Sequence, residues 1–167
     1  IGEAGLGKSR LIDELRLERH AAGGEDWSVA RGQSYGAARS FLLIRQHLLS
    51  WIGASEGDAP DAVREKLALF TDGLAAGALE VALGVEREGA ARLEGEAFRE
   101  ELHRQLRSVL ERRFRERPGA VVFDDLHWSD AASVDILIRL LAASDELGVL
   151  FLAALRPDRQ SPAWRTK

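Results

Sequence analysis

The chain has 167 residues, 46% hydrophobic and 30% charged, with a formal net charge of −4 and no cysteine. This is the balance of one ordinary globular domain, and the acidic sign argues against non-specific capture by nucleic acid or an anionic membrane. The lack of cysteine excludes disulfides and thiolate-ligated metals and is compatible with a reducing, cytoplasmic location, while no apolar run reaches the ~18 residues that span a bilayer.

The chain opens at Ile1, without a methionine, on a glycine-rich run at Gly2. The buried strand that feeds such a run is almost entirely missing, so residues 1–167 read as a single partial domain excised from a longer chain. Lys8 to His20 has the spacing of a helix, with Leu11, Ile12 and Leu15 interleaved by charges, and Gly23-Gly24 ends it. Trp27 to Arg31 is a short strand running into the loop Gly32 to Gly36. Ser40 to Ile52 is a second helix with Phe41, Ile44, Leu48 and Trp51 on one face. A Gly-, Ser-, Asp- and Pro-containing loop follows from Gly53 to Asp61, and Ala62 to Glu96 holds two short helices. Ala97 to Arg117 carries a continuous apolar stripe of Phe98, Leu102, Leu106, Val109 and Leu110, the mark of an amphipathic helix. Pro118-Gly119 stops it before the uninterrupted apolar strand Ala120 to Phe123. A helix from about Ala131 to Ala143 is capped by Ser129 or Asp130, and Val149 to Leu155 is a last apolar strand halted by Arg156-Pro157-Asp158.

Helices alternating with strands that are apolar throughout predict an α/β fold, a parallel sheet covered on both faces. Ligands on such sheets sit beyond the carboxyl ends of the strands, where Asp124, Asp125 and Arg156 fall.

Gly2-Glu3-Ala4-Gly5-Leu6-Gly7-Lys8-Ser9 fits G-x-x-x-x-G-K-[ST] at every fixed position. The glycines let the backbone curl so that successive N–H groups point at a phosphate, and the following helix adds its positive end. Lys8 supplies a full charge for the terminal phosphates, and the Ser9 hydroxyl suits a nucleotide-borne Mg2+. The nucleotide-contacting segment is therefore Gly2 to Arg10. The bland alternative, a flexible glycine turn, does not account for an amphipathic helix directly behind it.

Val121-Val122-Phe123-Asp124-Asp125 is an apolar strand ending in two carboxylates. Such a strand is expected beside the one that feeds the phosphate loop. Asp124 is assigned to magnesium and Asp125 to orienting the attacking water; the two roles could be exchanged, or both acids could simply cap a turn. His127 lacks partners for a metal site and reads as packing or hydrogen bonding near the pocket, and Trp128 reads as structural. Arg156, at the end of the last strand, is placed to sense a third phosphate.

On GEAGLGKSR (Gly2 to Arg10), VFDDLHWSD (Val122 to Asp130) and LRPD (Leu155 to Asp158), the chain resembles the AAA-related signal-transduction ATPases called STAND proteins. It is most similar to the ATPase modules of bacterial class III adenylate or guanylate cyclase-associated proteins and of LuxR-type regulators. Weaker similarity covers Arg31 to Trp51 and Pro157 to Trp164. The resemblance implies a three-layer P-loop NTPase core, here incomplete, with the first strand truncated and the last strand and lid missing. It further implies an ATP/ADP-controlled switch, an attached cyclase or DNA-binding effector domain, helical repeats, and a sensor role for Arg156.

The expected function is thus a slow, Mg-dependent ATPase switch. The alternative is a scaffold that binds nucleotide without hydrolysing it. A small-molecule kinase lacks an arginine-rich lid in the sequence, and the acidic balance disfavours direct contact with nucleic acid.

Overall fold

The computed structural model describes residues 1–21, 26–34, 40–89, 93–116 and 118–167. The expected helix stop at Gly23-Gly24, most of the loop from Tyr35, and Arg117 lie outside the described residues. The helices are α1 (Lys8–Ala21), α2 (Leu42–Ile52), α3 (Pro60–Thr71), α4 (Gly77–Leu83), α5 (Gly95–Phe114), α6 (Ala131–Leu141) and α7 (Ser144–Leu147). The strands are β1 (Trp27–Arg31), β2 (Gly119–Asp124) and β3 (Val149–Ala153).

They form a parallel sheet in the order β1-β2-β3. Trp27 pairs with Ala120 and Arg31 with Asp124, while Gly119 pairs with Val149 and Phe123 with Ala153. Because the register is parallel, side chains of paired residues share a face. One face carries Ser28, Ala30, Val121, Phe123, Val149 and Phe151, and it meets the core built by the helices that follow β1. Leu43, Leu48, Leu67, Leu79, Leu83, Leu102, Leu106, Leu110 and Leu137 are all buried there. Proline opens α3, where its missing N–H costs nothing, and glycines in the left-handed region close α2 and α4. The stretch 62–96 therefore does contain two short helices.

Several boundaries differ from expectation: α3 opens at Pro60, inside the expected loop, α5 runs from Gly95 to Phe114 and β2 from Gly119 to Asp124, and three others follow from the structure around them. The helix expected from Ser40 begins at Leu42, because Phe41 is left-handed (φ 63°) and the N–H groups of Phe41 and Leu42 donate to the Asp130 carboxylate instead. That tertiary cap comes from a residue far along the chain and has no local signature. The last strand ends at Ala153, since Ala154 turns its N–H onto Phe123 O (2.8 Å) and its carbonyl onto the Leu126 N–H (2.9 Å). The helix expected to run to Ala143 stops at Leu141, and the short α7 follows.

The sheet is not covered equally on its two faces. Opposite the core lies α1, which has no buried residue; beneath it Val29 is 38% and Leu150 53% exposed. The sequence of β3 suggests burial on both faces, yet one of its faces meets a single, loosely seated helix. The expected neighbour relation also changes. The acidic strand β2 is flanked by β1 and β3, and the phosphate-loop segment reaches the sheet past β3, through a Gly2 N–H bond to Leu155 O at 3.1 Å. Adjacency in a sheet is set by which backbone edges bond, and β3 takes the edge of β2 that the loop's own strand was expected to hold.

The core contains one titratable group with a clear consequence. His47 on α2 is buried between Phe123 and Trp51, with Nδ1 2.7 Å from the Ser28 hydroxyl. Burial disfavours the charged ring and lowers its pKa to about 3. The unfolded chain therefore binds a proton there that the folded chain refuses. The stability that neutral His47 contributes is full above pH ~6.5 and is lost as pH falls from there towards about 3, at up to ~1.4 kcal/mol per pH unit. Urea unfolding across that range should show a shallower pH slope for His47→Gln than for the natural protein.

Candidate functional site

The phosphate-loop segment curls because Gly5 (φ 79°) and Gly7 (φ 78°) sit in the left-handed region. A Cβ at either position meets nothing within 4 Å, so these glycines are required for their backbone angles and not for space. Gly7 O then accepts from Leu11 N (2.9 Å), which starts α1. Glu3, Ala4, Leu6 and Arg10 face solvent, and Arg10 is engaged with Glu14 (2.9 Å). The Lys8 ammonium folds back over its own loop, donating to the carbonyls of Gly2 (2.7 Å) and Glu3 (2.8 Å).

Ser9, on the first turn of α1, donates its hydroxyl to Asp124 Oδ2 at 2.9 Å across 115 residues of sequence. Asp124 is 1% exposed. Its other oxygen, Oδ1, accepts the Asp125 N–H at 2.9 Å. The opposite charge comes from Arg31 at the carboxyl end of β1, whose Nε and guanidinium NH2 group lie 3.1 and 2.9 Å from Asp124 Oδ2. Arg31 has no place in any of the sequence motifs. An exposed arginine ending a strand reads as a solvated charge, and only the Arg31–Asp124 pairing of the parallel ladder reveals its role.

After Asp124 the chain turns sharply. Asp125 is left-handed (φ 50°), a conformation that aspartate tolerates better than most side chains. It leads into a 3₁₀ turn at Leu126–Trp128. Gly32 packs against this corner and donates its N–H to Asp124 O at 2.9 Å. Asp130 then caps α6, taking the Ser133 N–H at 2.8 Å and the Ser133 hydroxyl at 2.6 Å. This decides the cap between Ser129 and Asp130, and the same carboxylate ties α2 to the corner.

His127 is buried at this corner, and neither ring nitrogen has a hydrogen-bond partner among the described residues. Its pKa is lowered, first by burial and then by the Arg156 charge, with Lys8 acting in the same sense and Asp125 and Asp158 opposing. The ring therefore reports which charges converge: Lys8 from the loop, Asp125 from the end of β2, and Arg156 and Asp158 from the end of β3. Arg156 is exposed and follows β3 by three residues rather than ending it. Trp128 is 41% exposed and tilts against His127, with ring centroids 4.9 Å apart, so it covers the corner from outside rather than filling the core. No group of three or more His, Cys, Asp or Glu side chains suited to a metal occurs among the described residues.

Ser9 and Lys8 of the loop and Asp124 and Asp125 after β2 lie at one end of the sheet, and Arg156 lies past the end of β3, beside the Leu155 carbonyl that holds Gly2. Oxygen donors and cations meet in this corner, with Asp124 buried and the loop residues Glu3, Ala4 and Leu6 facing solvent. Its geometry depends on Gly32, where an added Cβ would fall on the Asp125 carbonyl oxygen. Gly32→Ala is expected to cost about 2 kcal/mol or more, read as a lowered midpoint in chemical denaturation, because the added methyl would meet the Asp125 carbonyl and the Trp128 Cβ, neither of them the far end of a flexible side chain.

Comparison with known proteins gives the family. The AAA ATPase domain family matches residues 1–152. An uncharacterized protein of Rhizobium meliloti (strain 1021) is 29% identical over 171 residues, an alignment that takes in 96% of this chain but 16% of that protein. The chain therefore spans about a sixth of the length of that relative. No solved structure matches it. With nine-tenths of its length matched, the chain belongs to the AAA ATPase domain family, nucleotide-binding modules that in general hydrolyse ATP.

Proposed function

We propose that this chain is the ATP-binding, slowly hydrolysing switch module of a multidomain signalling or transcription regulator of the STAND type. The observation that carries the reading is the 2.9 Å contact between Ser9 Oγ and Asp124 Oδ2, which joins the phosphate loop to the acidic strand end. Two hard oxygen donors side by side suit Mg2+, which is held by one or two protein oxygens plus the nucleotide's phosphates. When bound, the ion would neutralise charge on the triphosphate. Residues Gly2 to Arg10 wrap the phosphates, with the Lys8 ammonium leaving the Gly2 and Glu3 carbonyls for the terminal phosphates. Asp125, at the left-handed corner, orients the water for attack. Arg156 meets the third phosphate from the end of β3 and so separates ATP from ADP.

In this reading nucleotide exchange repositions the corner around Asp124 and Asp125, and an attached cyclase or DNA-binding domain, with helical repeats, reads the change. The likeness of GEAGLGKSR, VFDDLHWSD and LRPD to cyclase-associated and LuxR-type regulators supports that setting. So does the share of the Rhizobium relative that the chain covers, which leaves room for other domains in a protein of that kind. The protein is proposed to act in the cytoplasm. No helix among the described residues is long and apolar enough to cross a membrane.

The engagement of Asp124 Oδ2 with Arg31 favours a second reading, a scaffold that binds nucleotide without turnover. Asp125→Asn separates the two, because asparagine also accepts the left-handed backbone at this position. In the full-length protein it should lower ATP turnover by about 10²–10⁴-fold with ATP affinity retained; negligible and equal hydrolysis by both proteins would leave the scaffold. Lys8→Ala removes the charge expected to meet the terminal phosphates. It should weaken ATP about 10–100-fold in calorimetry, and an unchanged affinity would remove Lys8 from the site.

A further inference from the structure

A second concavity lies at the opposite end of the sheet from the phosphate loop. It is a cavity of about 530 Å3 between the end of α3, the loop after it, α4 and α5, within the range of small-molecule sites. Its lining is apolar at Phe70, Leu74, Leu79 and Val109, and α5 also brings Arg104, Arg112 and Arg113 to it, with Asp26 the one lining carboxylate among the described residues.

The three guanidinium groups are not equally committed. Arg104 is held by Glu101, and Arg113 by Asp26. Arg112 gives one nitrogen to Thr71 O at 2.8 Å, but its nearest carboxylate, Asp72, stands 3.8 Å away and is itself largely in solvent. Arg112 therefore keeps unused donors at the cavity wall. Among the described residues two further polar groups are unspent: the Nε of Arg113 is buried without an acceptor, and the half-buried Ser108 hydroxyl has no hydrogen-bond partner. Leu74, at the rim, is 56% exposed, an apolar side chain that a ligand's tail would cover. A planar anion suits a guanidinium fork, and the apolar part of the lining rewards a hydrocarbon tail.

We propose that this cavity binds a small organic acid, a carboxylate on a short aliphatic chain, with the carboxylate on Arg112 and the chain against Phe70, Leu74 and Val109. The site is independent of the nucleotide reading, since it shares no residue with the phosphate loop or the Asp124 corner. Its position suggests what it touches. Asp26 immediately precedes β1, and its carbonyl accepts the Ala120 N–H of β2 at 2.9 Å, so the cavity borders the starts of the two strands whose far ends hold Arg31 and Asp124.

The test is ligand-detected NMR titration of the full-length protein with hexanoate, hexanol and inorganic phosphate. Hexanoate should bind saturably, with hexanol and phosphate each at least about tenfold weaker, because one lacks the charge and the other the tail. Arg112→Lys keeps a cation but loses the fork, and Ser108→Phe fills the cavity; each should reduce hexanoate binding about tenfold or more while ATP still binds, which shows that the fold is intact. Absence of saturable hexanoate binding, phosphate binding as strongly as hexanoate, or hexanoate binding undiminished in both variants would each overturn the proposal.

Discussion

The candidate site depends on how one buried carboxylate is compensated. Asp124 is nearly solvent-free, and an isolated ionised carboxylate in that setting would be too costly to keep. It persists because the Ser9 hydroxyl, the Arg31 guanidinium and the Asp125 amide all donate to it. Those donors come from α1, β1 and the turn after β2. The compensation of a single charge thus draws three separate segments together, and the geometry of the corner is a by-product of electrostatic necessity. Removing a donor would unbalance the carboxylate before it altered any packing.

The rest of the fold supports that junction from one side. The helical layer from α2 to α6 packs on the face of the sheet opposite Asp124 and holds β1 and β2 in the register that sets Arg31 beside it. Asp130 links this layer to the corner by serving two helices with one side chain, capping α6 while accepting the first amides of α2. The face that carries Ser9 and Asp124 is, by contrast, lightly covered: α1 lies over it without burying a residue. The two faces of the sheet are thus covered unequally, one by a buried helical layer and the other by a helix with no buried residue.

Much of this could be read from the residues. The run Gly2 to Ser9 states its backbone geometry through its glycines, and Trp27–Arg31 and Gly119–Asp124 show strand character because their apolar and β-branched residues sit between clear punctuation. The chemistry proposed for Lys8, Ser9, Asp124 and Asp125 follows from residue type at fixed spacing. What could not be read depends on pairings between distant segments. Arg31 looks like any solvent-facing arginine until the ladder sets it beside Asp124. Asp130 has a visible local duty as a cap but an invisible one at Phe41. The place of β3 between β2 and the loop is a matter of edge bonding, and the exposure of Leu150 contradicts an apolar run that reads as buried. Sequence periodicity reports which side chains could be covered; the arrangement of neighbours decides which ones are.

The Ser9–Asp124 contact closes a loop of 115 residues, among the longest the chain can make. Closing a loop of that size is entropically unfavourable and gains nothing until the intervening elements are in place. The contact therefore depends on the helical layer and the sheet that set its two ends side by side. Any state in which the amino-terminal glycines and the distant carboxylate have not met lacks the corner altogether, so the proposed site is a property of the whole fold and of no single segment.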